Sequence, residues 1–469
     1  MDISSTRQSL LECIVERCGR EVLVVPEDAA QRVLPARGLA MPQAPILRPA
    51  SAQEVAFIVR NAAEAGQVLI PLGGGTGLVG GLSQVTGGEW YLSLERMRGI
   101  ERIDRLNRTV VVEAGLILQT LQEALREEGF VFGVDLGARG SAQIGGLIAT
   151  NAGGERAIRY GMMRDQVLGL EVVLANGRTL DMMNTMIKNN TGYDLKHLFI
   201  GAEGTLGVVT RAVLRLRPAL PQRHTGFVAL SGFDAALRLR AAVEAAVGND
   251  LTAFEVMWPG FYDVVADAHD GSLPVARGAG IYVLFEVESG AGTDADAFVA
   301  QMMPVVDAEI AQDIALARSV GERNAMWSMR NDIQAMIRAF MPPVAYDISV
   351  PTAQMGRFVE TVERAVSRAW PQARMTAFGH MGDNNLHLAV TLGPQTPEHK
   401  HALNLLIYGE VERLGGSISA EHGLGADKRD YLPFSRNAGE IDAMRQLKTL
   451  FDPGHILNRG KVLPDANST

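Results

Sequence analysis

The sequence predicts an α+β chain built around a glycine-lined ligand site, and three observations carry that expectation. Glycines cluster at Pro71-Leu72-Gly73-Gly74-Gly75-Thr76-Gly77, from Gly145-Gly146 to Gly153-Gly154, and at Gly201-Ala202-Glu203-Gly204-Thr205-Leu206-Gly207. Strand-like and helix-like runs alternate up to Pro218, and after Pro221 the pattern turns to amphipathic helices mixed with strands. Glycine tolerates positive φ and lets backbone approach a ligand closely. Successive N–H groups freed in this way form nests that take pyrophosphate oxygens. A large phosphorylated cofactor held mainly by main chain is therefore expected.

Taken in order, residues 1–44 are expected to form a helical segment ahead of the glycine-rich domain. Ser51-Ala52-Gln53-Glu54 is a capping-box pattern that opens a helix ending near Gly66, followed by a strand from Gln67 to Ile70. Gly75-x-Gly77-x-x-Gly80 matches the dinucleotide fingerprint in letters, but that fingerprint needs a helix opening inside it. None is expected, because Gly80-Gly81 leads through Gly87-Gly88 into a second strand, Trp90 to Leu94. No Lys-Ser or Lys-Thr pair follows, so a Walker loop fails too, and a glycine-rich hairpin stays open as the alternative. Val110 to Val112 reads as a strand, and Ile117 to Glu128 as a helix stopped by Gly129. The first domain is placed at 45–218 and a second at 219–414, with strands such as Ile281 to Val287. A C-terminal segment, 415–469, returns to glycine-rich, polar signals.

A chain of 469 residues with 47% hydrophobic content can bury two or three domain cores. Its net charge of −9, spread without long runs, argues against nucleic acid. The N-terminus has no apolar stretch long enough for a signal peptide or a membrane span, so a cytoplasmic location is expected. Only Cys13 and Cys18 are present, too few for a disulfide framework, a thiolate zinc site or an iron–sulfur cluster.

A second constellation runs Gly379-His380-Met381-Gly382-Asp383-Asn384-Asn385-Leu386-His387, with Glu421-His422-Gly423 beyond. Two imidazoles and a carboxylate suit a divalent metal with an open position. The glycines and the Asp-Asn-Asn run predict a turn that folds His380 back toward His387. Spacing alone leaves ordinary scattered histidines as the alternative.

The order of these segments, with Arg159-Tyr160-Gly161, Leu168-Gly169-Leu170-Glu171-Val172-Val173-Leu174 and Asn190-Thr191-Gly192-Tyr193-Asp194-Leu195, resembles the vanillyl-alcohol oxidase and p-cresol methylhydroxylase (PCMH) family of FAD enzymes. It is most similar to the D-2-hydroxyacid dehydrogenase branch, over about Pro45 to Pro464. The resemblance implies a two-subdomain PCMH-type FAD-binding domain, an α+β antiparallel-sheet cap domain for substrate, and a C-terminal segment returning to the flavin. It implies FAD bound without a covalent link, since Pro71 to Gly81 contains no His or Cys. The cofactor contacts it implies are Pro71, Gly73, Gly74, Gly75, Thr76, Gly77, Gly137, Ser141, Gly145, Gly146, Thr150, Asn151, Gly153, Gly154, Gly204, Val208 and Asn458. His380, His387 and Glu421 become ligands of a divalent metal, zinc first, with manganese or iron as alternatives. His422 becomes the base, Arg330 of Trp327-Ser328-Met329-Arg330 the carboxylate-binding cation, and Asn385 a substrate contact. Asn384 stands where the family has glycine, a replacement that left-handed backbone tolerates.

These groups suit one chemistry: loss of the C2 hydrogen of a small 2-hydroxy acid as hydride and of its hydroxyl hydrogen as a proton. Electrons must then pass to an external acceptor, whether a quinone, an electron-transfer flavoprotein or a cytochrome, and a homodimer is a further expectation. A flavin-binding, non-catalytic subunit of a glycolate oxidase-like complex is the alternative, against which the intact His380, His387, Glu421 and His422 set argues. D-2-hydroxyglutarate dehydrogenases carry a threonine four residues after the arginine and a lysine just before a Tyr-Asp pair; this chain has Gln334 and Ala345 there.

Overall fold

Ser51 caps the helix Ala52–Glu64, its side chain accepting from Glu54 N at 3.2 Å while the Glu54 carboxylate accepts from Ala50 N at 2.8 Å. Val55, Ile58, Val59 and Ala62 recur at helical spacing and are buried. The chain then turns at Gly66, φ 62°, into the strand Leu69–Leu72, which pairs in parallel with Trp90–Ser93. No helix lies between those two strands, as expected from the glycines that separate them. The helix Leu118–Glu127 buries Leu118, Leu121 and Leu125 and ends before Gly129.

The computed structural model describes residues 3–35, 38–269, 271–307 and 310–464; the remaining ends of the two terminal segments lie outside them. The chain forms two units. The first runs to Gly154, resumes over Gly161–Ala219 and takes in the chain from His422 onward. Among the described residues its two larger sheets have four and five strands. One has the order Leu23–Val24, Ile46–Leu47, Trp90–Ser93, Leu69–Leu72; the other, antiparallel, has the order Thr179–Met182, Val167–Val173, Val208–Arg215, Thr109–Glu113, Ile100–Asp104. Its C-terminal segment adds the bridge of Leu69 to Leu457.

The second unit, Glu155–Tyr160 with Leu220–Glu421, is built on a seven-stranded antiparallel sheet. The strand order is Ala311–Leu316, Gln222–Leu230, Ile281–Ser289, Leu251–Met257, Arg374–His380, Asn385–Thr391, Val344–Ser349. All of Ile281–Ser289 is buried, because helices cover both faces. Pro259–Ala268, Val320–Asn331 and Ile333–Ala339 pack their apolar side chains on one face, with Phe227, Met257, Leu284 and Phe378. On the other, Tyr346 donates to Asn404 of the helix Pro397–Arg413.

Three expectations are corrected. Among its described residues the N-terminal segment is helical over Ile3–Cys18 and in the short pieces Arg20–Val22 and Pro26–Ala29; Leu23–Val24 enters a sheet and Val33–Leu34 pairs with Leu39–Ala40. Residues 155–160 belong to the second unit, where Tyr160 Oη donates to Glu288 at 2.6 Å and Arg159 to the Glu288 carbonyl at 2.6 Å. Residues 415–421 do too, since Ser417 pairs with Ser349.

Candidate active site

In the first unit the glycine segments converge. A Cβ on Gly73 would lie 3.5 Å from Gly146 Cα, one on Gly74 1.8 Å from Ser141 O, one on Gly154 1.9 Å from Asp135 O, and one on Gly204 3.0 Å from Pro71 Cγ. Gly145 is likewise closed off by Ala114. Gly74 and Gly154 answer first to the protein's own backbone, a reason distinct from the ligand approach expected of them, while Gly73 is in ordinary contact with Gly146. Gly77 and Gly137, both exposed, have nothing within 4 Å of a Cβ position. Gly75 sits at φ 69° and is buried, as is Gly153; Thr76 is half-buried.

Several implied cofactor contacts are engaged locally. Thr150 Oγ1 donates to Gly146 O at 3.0 Å, and Asn151, at φ 49°, accepts from Arg164 N at 2.9 Å. Val208 is 3% exposed within the hydrophobic core, so only its backbone is on offer. Asn458 is different. Its N donates to Leu69 O and its Nδ2 to Glu203 O, both at 2.8 Å, while its buried Oδ1 has no hydrogen-bond partner. A buried unpaired acceptor calls for an explanation. FAD, whose isoalloxazine and adenine both carry N–H donors, fits a backbone-walled site with such an acceptor.

In the second unit the sheet register assembles the second constellation. Glu255 pairs with His380, His380 with Asn385 and Asn385 with Ser349; one step on, Met257 pairs with Phe378, Phe378 with His387 and His387 with Asp347. Directly paired residues and those two apart share a face. Glu255, His380, Asn385, His387 and Asp347 thus project together. The turn between the histidines is one 3₁₀ turn, Met381–Asp383, closed by Asn384 at φ 72°. The histidine rings lie edge to face, 5.4 Å apart. Glu421 arrives through the Ser349–Ser417 bridge, and its N donates to Asp347 Oδ2 at 3.0 Å. One ligand atom each from His380, His387 and Glu421 lie within 4.8 Å of one another.

The electrostatics fit a cation. Burial, with Asp347, Asp383 and Glu255 nearby, pushes Glu421 up to about 7 despite His380. Burial, helped by Glu255, pushes Asp383 up to about 6. Burial opposes charge on His380, but Glu255 outweighs it and lifts the imidazole to about 9. Carboxylates crowded until they resist ionising mark a place where a cation would be stabilised. Two imidazoles and a carboxylate are a fitting donor set. Beside them, Asn385 is 3% exposed and neither amide atom has a hydrogen-bond partner. Such a group costs about 1–3 kcal/mol unless a ligand meets it.

Arg330 descends from the helix Val320–Asn331 and is 3% exposed. Its Nε donates to Glu255 Oε2 at 2.8 Å and its Nη2 lies 3.4 Å from His380 Nε2. Glu255 is the principal residue missed in the sequence. Its one signal was an acid inside the apolar run Leu251-Thr252-Ala253-Phe254-Glu255-Val256-Met257. His422 follows Glu421 in the chain and is half-buried; the division between the units falls between them.

Comparison with known proteins bears on the fold and the flavin domain. Residues 43–183 match the FAD binding domain model, and residues 220–462 match that of FAD linked oxidases, C-terminal domain. The D-2-hydroxyglutarate dehydrogenase of Bos taurus mitochondria is 38% identical over 421 residues, 89% of this chain and 76% of that protein. The D-2-hydroxyglutarate dehydrogenase of Xanthomonas citri pv. viticola is 37% identical over 89% of this chain and 88% of its own. Among solved structures, p-cresol methylhydroxylase with substrate bound superposes with a TM-score of 0.73 at 14% identity, covering 99% of this chain and 98% of that one. 4-Ethylphenol oxidase from Gulosibacter chungangensis gives 0.72 at 18% identity, covering 98% of both. The glycine-walled segments, the antiparallel second unit and these matches lead to one conclusion: the chain belongs to the FAD-linked oxidase family, beside the D-2-hydroxyglutarate dehydrogenases, and is an FAD-dependent oxidoreductase acting on CH–OH groups.

Proposed function

We propose that this chain oxidises a D-2-hydroxy acid to the 2-oxo acid, with a divalent cation, zinc first, held by His380, His387 and Glu421. The observation that carries the proposal is the convergence of those three ligand atoms within 4.8 Å, beside the unsatisfied amide of Asn385. Bound FAD supplies the hydride acceptor, and a bound divalent cation supplies Lewis acidity at the substrate hydroxyl. His422 accepts the hydroxyl proton, a role that suits a neutral imidazole near physiological pH. Asn385 offers both a donor and an acceptor to the substrate. Arg330 retains guanidinium N–H groups beyond the one given to Glu255 and binds the substrate carboxylate. With two cysteines, both free, the chain has no relay of its own, so electrons leave to an external acceptor.

The test is anaerobic addition of D- and L-2-hydroxy acids to the purified, metal-loaded flavoprotein. D-acids should bleach the visible flavin band, and an artificial dye should then sustain turnover. A flavin spectrum unchanged by every D-2-hydroxy acid would overturn the proposal.

A further inference from the structure

The glycine motif at 201–207 carries a carboxylate that the cofactor reading does not use. Glu203 Oε1 accepts from Leu424 N at 2.7 Å and Oε2 from Gly425 N at 2.8 Å, all within the first unit. These successive N–H groups follow Gly423 at φ 79° and include Gly425 at φ 51°, a turn that presents main-chain donors to an anion. Here the acceptor is the side-chain carboxyl of Glu203 itself. Its own backbone is in the left-handed region at φ 50°, costly for a residue with a Cβ. That conformation is fixed from both sides: Glu203 N donates to Ala149 O at 2.7 Å, and Glu203 O accepts from Asn458 Nδ2 at 2.8 Å.

The loop is clamped on its other side by the first glycine segment. Ala426 N and Asp427 N both donate to Val79 O at 3.1 Å, and Val462 N donates to Gly425 O at 2.9 Å. No side chain fits at the clamps. A Cβ on Gly423 would lie 2.7 Å from Glu203 Oε1, and one on Gly425 2.0 Å from Val79 O. The residue entering this clamped loop is His422, so the path of its backbone is set one residue away.

We propose that Glu203 is a positioning residue for His422, its carboxylate fixing the 423–425 backbone and through it the direction of the imidazole. The proposal rests on His422 being the base. A displacement of about 1 Å at a reacting group can cost about 100-fold in rate. Glu203→Gln, which keeps size but replaces one acceptor oxygen with a donor, should lower kcat by roughly 10–100-fold. KM should stay within about threefold and the flavin spectrum and FAD stoichiometry should be unchanged, because the loss lies in proton transfer rather than in uniform binding. Glu203→Asp, which keeps the carboxylate, should recover part of the loss.

The deciding measurement is a double-mutant cycle with His422→Ala. If Glu203 acts through His422, Glu203→Gln or Glu203→Asp should cost little further kcat once the imidazole is gone. Equal fold-losses in both backgrounds would overturn the positioning role while leaving His422 as base. A His422→Ala protein with wild-type kcat would instead remove the base assignment and the proposal with it.

Discussion

The carboxylate of Glu255 lies 2.9 Å from Nδ1 of His380, and both side chains are buried. That contact leaves Nε2 of His380, 3.4 Å from Arg330 Nη2, as the nitrogen that would face a cation. A metal-binding histidine is generally held so, by a carboxylate on its far nitrogen that fixes ring orientation and tautomer. Glu255 also holds Arg330, so one buried acid orients two groups with different duties.

Removing that acid should therefore separate into two effects. Glu255→Ala leaves the Arg330 guanidinium buried without its partner and should destabilise the protein by roughly 3–5 kcal/mol. Glu255→Gln keeps the shape and should weaken metal binding by roughly 10–100-fold. Denaturant unfolding and metal titration measure the two. Wild-type metal affinity in Glu255→Gln would refute the orienting role.

Metal affinity should depend on pH with a definite sign. His380 is lifted to about 9 and Glu421 to about 7, so both hold protons that a cation must displace as pH falls. Affinity should weaken on acidification by about tenfold per pH unit for each proton displaced, more steeply below 7. Calorimetry at pH 6 and 8 in buffers of different ionisation enthalpy counts those protons. Equal affinities at the two pH values would be incompatible with this ligand set.

Exhaustive chelation should abolish turnover while leaving most of the flavin bound, because the proposed metal ligands and the glycine segments belong to different units. Flavin absorbance and dye reduction, followed together, check this. Full activity with metal content near zero would remove the cation from the reaction.

What was legible in the sequence was local. The Ser51 cap, the absence of a helix after Leu72 and the left-handed turn at Asn384 each depend on residues a few positions apart. Glu255 was not legible, because its meaning comes from pairing between strands more than a hundred residues apart. Gly74, Gly145 and Gly154 were legible as special positions, but not as contacts between loops distant in sequence. Glu203 stood inside a recognised motif, yet its carboxylate serves a loop some two hundred residues on.

FAD should be held without a covalent link. The first glycine segment, Pro71 to Gly81, contains no His or Cys to form a tether, and both cysteines of the chain are free. Acid precipitation should release the yellow colour to the supernatant; colour retained in a washed pellet would contradict this.

His422→Ala should lower kcat by about 10²–10⁴-fold, the usual contribution of a general base, with FAD still bound. Steady-state kinetics beside the flavin spectrum measures it. A mutant with wild-type kcat would take His422 out of the proton transfer.

Substrate preference should follow Ala345. It is exposed on the strand Val344–Ser349, two residues from Asp347 and paired with Ala389, on the face that carries His387. The resemblance to D-2-hydroxyglutarate dehydrogenases implies a lysine there, a charge-assisted partner for a second substrate carboxylate. Such a bond contributes about 1.5–3 kcal/mol, more than tenfold in affinity, and alanine cannot make it. Gln334 likewise stands in place of the threonine. The five-carbon diacid should therefore lose its advantage, with D-lactate or another hydroxy acid of uncharged side chain accepted comparably or better. Ala345→Lys should restore preference for the diacid by about tenfold or more. The competing reading is that Arg338, exposed on the helix Ile333–Ala339, substitutes for the lysine. Comparing kcat/KM for D-lactate, D-malate and D-2-hydroxyglutarate decides between them, and a hundredfold preference for D-2-hydroxyglutarate in the native chain would refute the role given to Ala345.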